Sequence, residues 1–137
     1  QSEEYRLQDQ VGFVLRKAHQ RHVAIFASHI ADLTPPQFAA LARLYADGET
    51  SQNQLGNLIA MDAATIKGVI DRLKARGLVD VGKDDGDRRR VLVSLTAEGR
   101  AAVERLFPLA KEITVETLAP LTTRESETLM RLLSKIA

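Results

Sequence analysis

The chain has 137 residues, a length that suits one domain or one protomer of an intertwined dimer. Hydrophobic residues make up 45% of the chain but aromatic residues only 4%, so we expect an aliphatic core. A net charge of +1 argues against nucleic-acid binding through bulk charge, and the lack of cysteine excludes thiol switches and cysteine-based zinc sites.

The first thirty-odd residues predict one long helix. Apolar residues recur at three- and four-residue steps from Val11 to Ile30. This stripe is too long for a small domain to cover, so we expect it to meet either the C-terminal helices or a second protomer.

A second helix is predicted after Thr34. Thr34 and Gln37 have the spacing of a capping box, Pro35 suits the first helical position, and Asp47-Gly48 marks the end.

The next stretch has a helix-turn-helix pattern. Ser51 and Gln54 form a second predicted capping box, and Ala60-Met61-Asp62 separates two apolar series that repeat at helical spacing. The side of the second helix opposite its apolar stripe is small and polar, which suits close approach to base edges in a major groove. Its members are Ala64, Thr65, Lys67, Gly68, Asp71, Arg72 and Ala75.

A hairpin is predicted next. Val79 and Val81 alternate with polar residues, as do Val91, Val93 and Leu95, so two half-buried strands face one core. An Asp-Gly turn and three consecutive arginines lie between them. Arginine suits both phosphate and the negative potential of a narrow minor groove, so this loop predicts a second DNA contact.

Two further helices are predicted at the C-terminal end. Thr96 caps the first of them, and Pro108 inside it should kink it or interrupt its hydrogen bonds. Thr122 and Glu125 form another capping box, which opens the last helix.

Four of these pieces carry a family resemblance: DRL at 71–73, GLV at 77–79, DGDRRR at 85–90 and LTAEG at 95–99. Together they resemble the MarR family of winged helix-turn-helix transcriptional regulators. The resemblance implies a mainly α fold with a small β-hairpin wing, and a homodimer whose first and last helices interlock. It divides a single 1–137 domain into a DNA-binding lobe at 34–96 and dimerisation helices at 1–33 and 97–137.

The resemblance also implies a repressor that a small ligand releases from a near-palindromic operator in double-stranded DNA. One wing arginine would enter the minor groove beside a neighbour braced by a carboxylate, roles carried to Arg88 and Arg89, with Asp71 or Asp87 as the brace. The expected DNA-binding residues are Ser51, Gln52, Ala63, Ala64, Thr65, Lys67, Gly68, Arg72, Arg88, Arg89 and Arg90.

Family members often hold an aromatic or acidic effector, which needs an apolar cleft with a few cations. Candidate residues for this site are Phe13, Arg16, His19, His22, Phe26, Phe38 and Tyr45. A solvated basic face with core aromatics explains the same residues equally well.

Other functions find less support in the sequence. His19 and His22 lie one turn apart, so a metal-responsive regulator stays open, although no acidic residue completes a ligand set with them or with His29, and we expect no metal. A winged-helix module that binds an acidic protein is a further alternative. No catalytic constellation can be assembled, so we expect neither an enzyme nor a cofactor. No apolar run reaches the roughly 18 residues of a membrane span and no signal-peptide pattern opens the chain, which predicts a cytoplasmic protein with no membrane partner.

Overall fold

The computed structural model describes residues 4–137 and, over that range, contains six α-helices and a three-stranded antiparallel sheet. The strands are β1 (Thr50–Ser51), β2 (Val79–Lys83) and β3 (Val91–Leu95), in the order β1-β3-β2. The predicted fold class, mainly α with a small β wing, is confirmed. The helices are α1 (Val11–His29), α2 (Pro35–Asp47), α3 (Gln52–Leu58), α4 (Ala63–Ala75), α5 (Ala97–Leu118) and α6 (Thr123–Ile136).

The described chain divides into two compact units. The winged unit is Ile30–Pro108, and the helical unit consists of residues 4–29 together with Leu109–Ala137. The winged unit contains the predicted 34–96 lobe together with residues 30–33 before it and the first part of α5 after it.

The core of the winged unit is aliphatic, as the composition predicts. The apolar stripe predicted for α4 is buried, and it packs with residues from α2, α3 and the sheet. The side chains less than 2% exposed in this unit include Ile30, Leu41, Leu44, Leu55, Ile66, Ile70, Leu73, Val93, Val103 and Leu106.

Two of the three predicted capping boxes form, and the predicted Thr96 cap of α5 is confirmed, since its hydroxyl accepts the N–H of Gly99 at 2.9 Å. Thr34 and Gln37 form a reciprocal capping box at α2, and Thr122 and Glu125 form one at α6. At the end of α2, Gly48 has a φ of 79° and donates its N–H to the Leu44 carbonyl at 2.8 Å.

The prediction of one long N-terminal helix is wrong before Val11. Leu7–Asp9 form a turn of 3-10 helix, and Gln10 has an extended backbone that interrupts the helical hydrogen bonds. The part of this prediction that covers residues 1–3 lies outside the described residues.

The sheet contains a third strand, β1, that the predicted two-stranded hairpin did not include. Thr50 pairs with Val93 and Ser51 with Leu92, so β1 lines the second edge of β3. The Ser51 hydroxyl accepts the N–H of Gln54 at 3.2 Å, but over residues 4–137 no bond from the Gln54 side chain completes the predicted capping box.

Pro108 does not end α5. The helix continues from Ala97 to Leu118, so the expected interruption is limited to the one backbone hydrogen bond that proline cannot donate.

Candidate nucleic-acid interface

The turn between α3 and α4 is tight. Ala60 has a φ of 60°, and a Cβ on Gly56 would lie 3.0 Å from the Met61 carbonyl oxygen and 3.2 Å from Cγ2 of Ile66. Gly56 therefore allows the two helices to approach closely, which sets the direction in which α4 leaves the turn.

Asp62 caps the N-terminus of α4. Its Oδ1 accepts the N–H of Thr65 at 2.7 Å, and this hydrogen bond lowers the pKa of the Asp62 carboxyl. This cap therefore fixes the residue at which α4 begins and stabilises its first turn, which carries Ala63, Ala64 and Thr65.

The polar face predicted for α4 is open to solvent. Ala64, Thr65 and Lys67 are exposed, and Gly68 is half-buried. A Cβ on Gly68 would lie 3.3 Å from Nη1 of Arg72, which donates to the Gly68 carbonyl at 3.4 Å. The exposed side of α4 is therefore slim at Gly68, where Arg72 folds back along the helix.

Asp71 pairs with a residue of its own helix, α4, and not with a wing arginine. Lys67 donates from Nζ to its Oδ2 at 2.8 Å, an i,i+4 pair on the exposed side of α4. Of the two carboxylates expected to brace a wing arginine, Asp71 is paired with Lys67 instead.

The wing is held by β2 and β3, which pair from Val79 with Leu95 to Lys83 with Val91. In the loop, Oδ1 of Asp87 accepts the N–H of Arg89 at 3.1 Å and lies 3.6 Å from its Nε. The Arg89 side chain is 95% exposed, so its guanidinium is open to solvent.

The three arginines differ in their surroundings. Arg90 pairs through Nη1 with Oδ2 of Asp84 at 3.0 Å, whereas Arg88 is exposed and makes no hydrogen bond or ion pair with residues of the described range. Sequence reasoning missed Asp84, although its position just before the Asp-Gly turn is a usual one for a carboxylate that binds turn N–H groups.

A cleft of about 350 Å³ lies between the wing and the start of α3. It brings Ser51 and Gln52, two of the expected DNA-binding residues, beside Asp87, Arg89 and Arg90. The cleft thus brings together residues that lie more than thirty positions apart in the sequence.

The residues predicted to bind an effector fall into both units. In the helical unit, His19 and His22 line an apolar cleft of about 400 Å³, and His22 Nδ1 lies 2.9 Å from the Thr117 hydroxyl. Burial, and secondarily the charge of His19, lower the pKa of His22. Phe26 is only 5% exposed, whereas Arg16 is exposed and Phe13 lies under the Lys17 ammonium at 5.7 Å.

In the winged unit, Phe38 is half-buried and Tyr45 is already engaged. Its hydroxyl donates to Glu104 at 2.8 Å, which raises the pKa of Tyr45, and its ring meets Phe107 edge-on with the Arg100 guanidinium 4.9 Å away. The spacing of Arg100, Glu104 and Phe107 by four and three residues is a signal for one helix face that sequence reasoning overlooked.

His29 lies between two carboxylates of α5. Its Nε2 is 2.9 Å from Glu116 and its Nδ1 is 3.7 Å from Glu112. Within residues 4–137, no group of three or more His, Asp or Glu side chains is arranged to hold a metal ion. Over the same residues, no helix is both long and apolar enough to cross a membrane.

Comparison with known proteins places this geometry among transcriptional regulators. The MarR family model matches residues 31–90. The HTH-type transcriptional repressor NicR of Pseudomonas putida is 42% identical over 96% of this chain and 85% of its own length.

Two solved structures are similar over nearly their whole length. A crystal structure of a probable transcriptional regulator from Pseudomonas aeruginosa is 53% identical, with a TM-score of 0.91, and the match covers 96% of this chain and all 100% of that one. BpsR of Bordetella bronchiseptica, whose structure concerns the regulation of its DNA binding by 6-hydroxynicotinic acid, is 45% identical over 98% of this chain and 97% of its own, with a TM-score of 0.93.

Proposed function

Because this chain belongs to the MarR family of transcriptional regulators, we propose that it is a homodimeric repressor of a near-palindromic operator. The observation that carries the proposal is the presence, in one compact unit, of an exposed slim helix face and an arginine-tipped loop. The named relatives are bacterial, and bacterial operators lie in the cytoplasm, so we place the protein there.

In this proposal α4 enters the major groove. Ala64 and Gly68 let the helix backbone approach the base edges, while Thr65, Lys67 and Arg72 supply hydrogen-bond donors. Lys67 would exchange its contact with Asp71, and Arg72 its contact with the Gly68 carbonyl, for groups of the DNA. The other proposed contacts near this surface are Ser51, Gln52 and Ala63.

Arg89 is the arginine that we assign to the minor groove. Asp87 accepts its backbone N–H at 3.1 Å and lies 3.6 Å from its Nε, so this ion pair would favour one direction of the guanidinium before DNA arrives and reduce the conformational entropy lost on binding. Asp87 is therefore the proposed brace, and Arg88, which has no protein partner within the described chain, is assigned to a phosphate.

The homodimer is supported by the apolar surface of the helical unit. Within the described chain every residue of α6 is exposed or half-buried, although the helix is strongly amphipathic. A second copy that covers these side chains would remove them from water. The exposed large apolar residues of this unit include Val11, Val14, Leu15, Val115, Met130, Leu132 and Ile136.

We propose a planar aromatic carboxylic acid as effector, since 6-hydroxynicotinic acid regulates the DNA binding of BpsR. The cleft of the helical unit offers an apolar wall for the ring and two imidazoles for the acid group. The effector would lower DNA affinity by preferring a conformation that binds DNA poorly, and its effect cannot exceed its differential affinity for the two states.

The test begins with footprinting on the DNA that flanks the chain's own gene, followed by titration of the protected duplex. The logarithm of the affinity should fall linearly with the logarithm of the salt concentration. The double variant Arg88→Ala/Arg89→Ala should lose most of the affinity for the duplex. If the double variant binds like the parent, the wing assignment is wrong.

The effector is tested separately, with 6-hydroxynicotinic acid as the probe. Saturating compound should weaken binding of the parent to the operator, and His22→Ala should need a higher concentration for the same effect. Unchanged affinity at saturation would reject this compound, while leaving the DNA-binding proposal standing.

A further inference from the structure

We propose that Arg90 does not contact DNA but positions the wing, by closing its loop through an ion pair with Asp84. This inference rests on the proposed DNA-binding function, and it gives the third arginine of the loop a role different from those of Arg88 and Arg89. The two residues are called the Asp84–Arg90 pair below.

The pair joins the two ends of the wing loop. Asp84 follows the last residue of β2, and Arg90 precedes the first residue of β3. The Asp84 N–H donates to the Arg90 carbonyl at 3.0 Å, and Nη1 of Arg90 donates to Oδ2 of Asp84 at 3.0 Å. The loop is thus closed by one backbone and one side-chain hydrogen bond at the same place.

Further hydrogen bonds connect the pair to Arg89. The second carboxylate oxygen of Asp84 accepts the N–H of Gly86 at 2.9 Å. The backbone carbonyl of Asp84 accepts the N–H of Asp87 at 3.2 Å. Asp87 in turn accepts the N–H of Arg89 with its side chain and that of Arg90 with its carbonyl. An Asp84 carboxylate held in place by Arg90 therefore fixes the turn that orients Arg89.

The charges around Arg90 also argue against a phosphate contact. Asp84 is paired with it, and Glu49 and Asp47 line the same cleft of about 380 Å³ that Arg90 lines, where Asp47 is itself paired with Arg43 at 2.7 Å. A phosphate at this position would meet these acids as well as the guanidinium. The side chain of Arg90 is 49% exposed, against 95% for Arg89.

Four proteins test the inference: the parent, Arg90→Ala, Asp84→Ala and the double variant. Each is titrated with the footprinted operator duplex over a range of salt concentrations. We expect both single variants to bind about two- to fivefold more weakly, as suits a partly exposed ion pair, with an unchanged slope of log affinity against log salt. In the Asp84→Ala background, Arg90→Ala should have almost no further effect.

The sign of the Asp84→Ala effect is the sharpest criterion. Removal of a negative charge from a DNA-binding loop should by simple electrostatics strengthen binding, whereas loss of the pair should weaken it. Arg88→Ala is the matched control, because loss of a phosphate contact should reduce the salt slope by about 0.9. Arg90→Lys, which keeps one charge-assisted hydrogen bond, should recover most of the affinity.

Three results would overturn the inference: stronger binding by Asp84→Ala, an Arg90→Ala slope reduced as in Arg88→Ala, or equal effects of Arg90→Ala in both backgrounds. Amide hydrogen exchange without DNA gives an independent measurement. Exchange at Gly86 and Asp87 should be faster in Arg90→Ala, and unchanged exchange would contradict the pair's role in the loop. If the parent binds no duplex, the proposed function fails by itself, while hydrogen exchange still decides whether Arg90 orders the wing.

Discussion

Gly99 is the position where the backbone leaves least room for a side chain. A Cβ there would lie 2.0 Å from the Leu78 carbonyl oxygen, because the start of α5 packs directly against the chain that enters β2. Thr96 fixes this arrangement, since its hydroxyl donates to the Gly77 carbonyl at 2.7 Å and accepts the N–H of Gly99 at 2.9 Å.

We therefore expect Gly99→Ala to lower the free energy of unfolding by about 1–3 kcal/mol, because α5 must move away from Leu78. Urea unfolding at one fixed protein concentration measures this. Gly82→Ala is the matched control, since nothing lies within 4 Å of a Cβ at Gly82. Equal stability of the two variants would show that the contact at Gly99 relaxes without cost.

At the level of residues, the sequence predicted which side chains lie on an exposed surface better than it predicted which side chains they pair with. The exposed side of α4 and the arginine loop follow from periodicity, which depends on local geometry. Periodicity does not decide the partner of Asp71, because the sequence offered two candidates, namely Lys67 four residues earlier on α4 and a wing arginine, and the structure pairs it with Lys67. The engagement of Tyr45 by Glu104 and Arg100 depends on α5, which lies more than fifty residues away in the chain.

The first turn of α4 depends on a charge at its N-cap. The hydrogen bond from Thr65 lowers the pKa of Asp62 in the folded protein below its ordinary value of 3.8. Its contribution to stability is therefore fully present above the unfolded pKa and is lost as pH falls through the lowered, folded pKa.

We expect Asp62→Ala to lower the melting temperature at pH 7, and this deficit to shrink at acidic pH, where the parent carboxyl is protonated. Melting curves of parent and variant across this range measure the difference. Asp62→Asn keeps an acceptor without a titrating charge, so its advantage over Asp62→Ala should not depend on pH. A deficit that stays constant down to the lowest pH would contradict the role of the charge.

At the level of elements, strong local signals were sufficient for α2 and α6, where predicted caps and apolar periodicity agree, and for α4, where periodicity predicted the helix although the Asp62 cap was missed. They were insufficient for β1, because a two-residue strand has no period and is defined only by its pairing with β3. The start of α1 was placed too early, since the exposed segment before Val11 lacks the packing that would favour a helix.

At the level of the whole molecule, the proposed dimer constrains the operator. An exposed apolar surface on the helical unit favours a second copy, and a two-fold axis would duplicate α4 and the wing. Two recognition helices of such a dimer contact half-sites about one DNA turn, roughly 34 Å, apart.

Half-site spacing therefore tests the dimer and its DNA mode together. Insertion of five base pairs between the half-sites rotates one of them by about half a turn, to the opposite face of the duplex, so we expect affinity to fall towards that of a single half-site. Insertion of ten base pairs restores the face but doubles the separation, and a dimer of fixed span should bind this duplex poorly as well. Gel-shift titration of the three duplexes at one salt concentration measures both effects. Affinity that is indifferent to spacing would mean that the two winged units bind DNA independently, and that the interlocked dimer does not set the register of recognition.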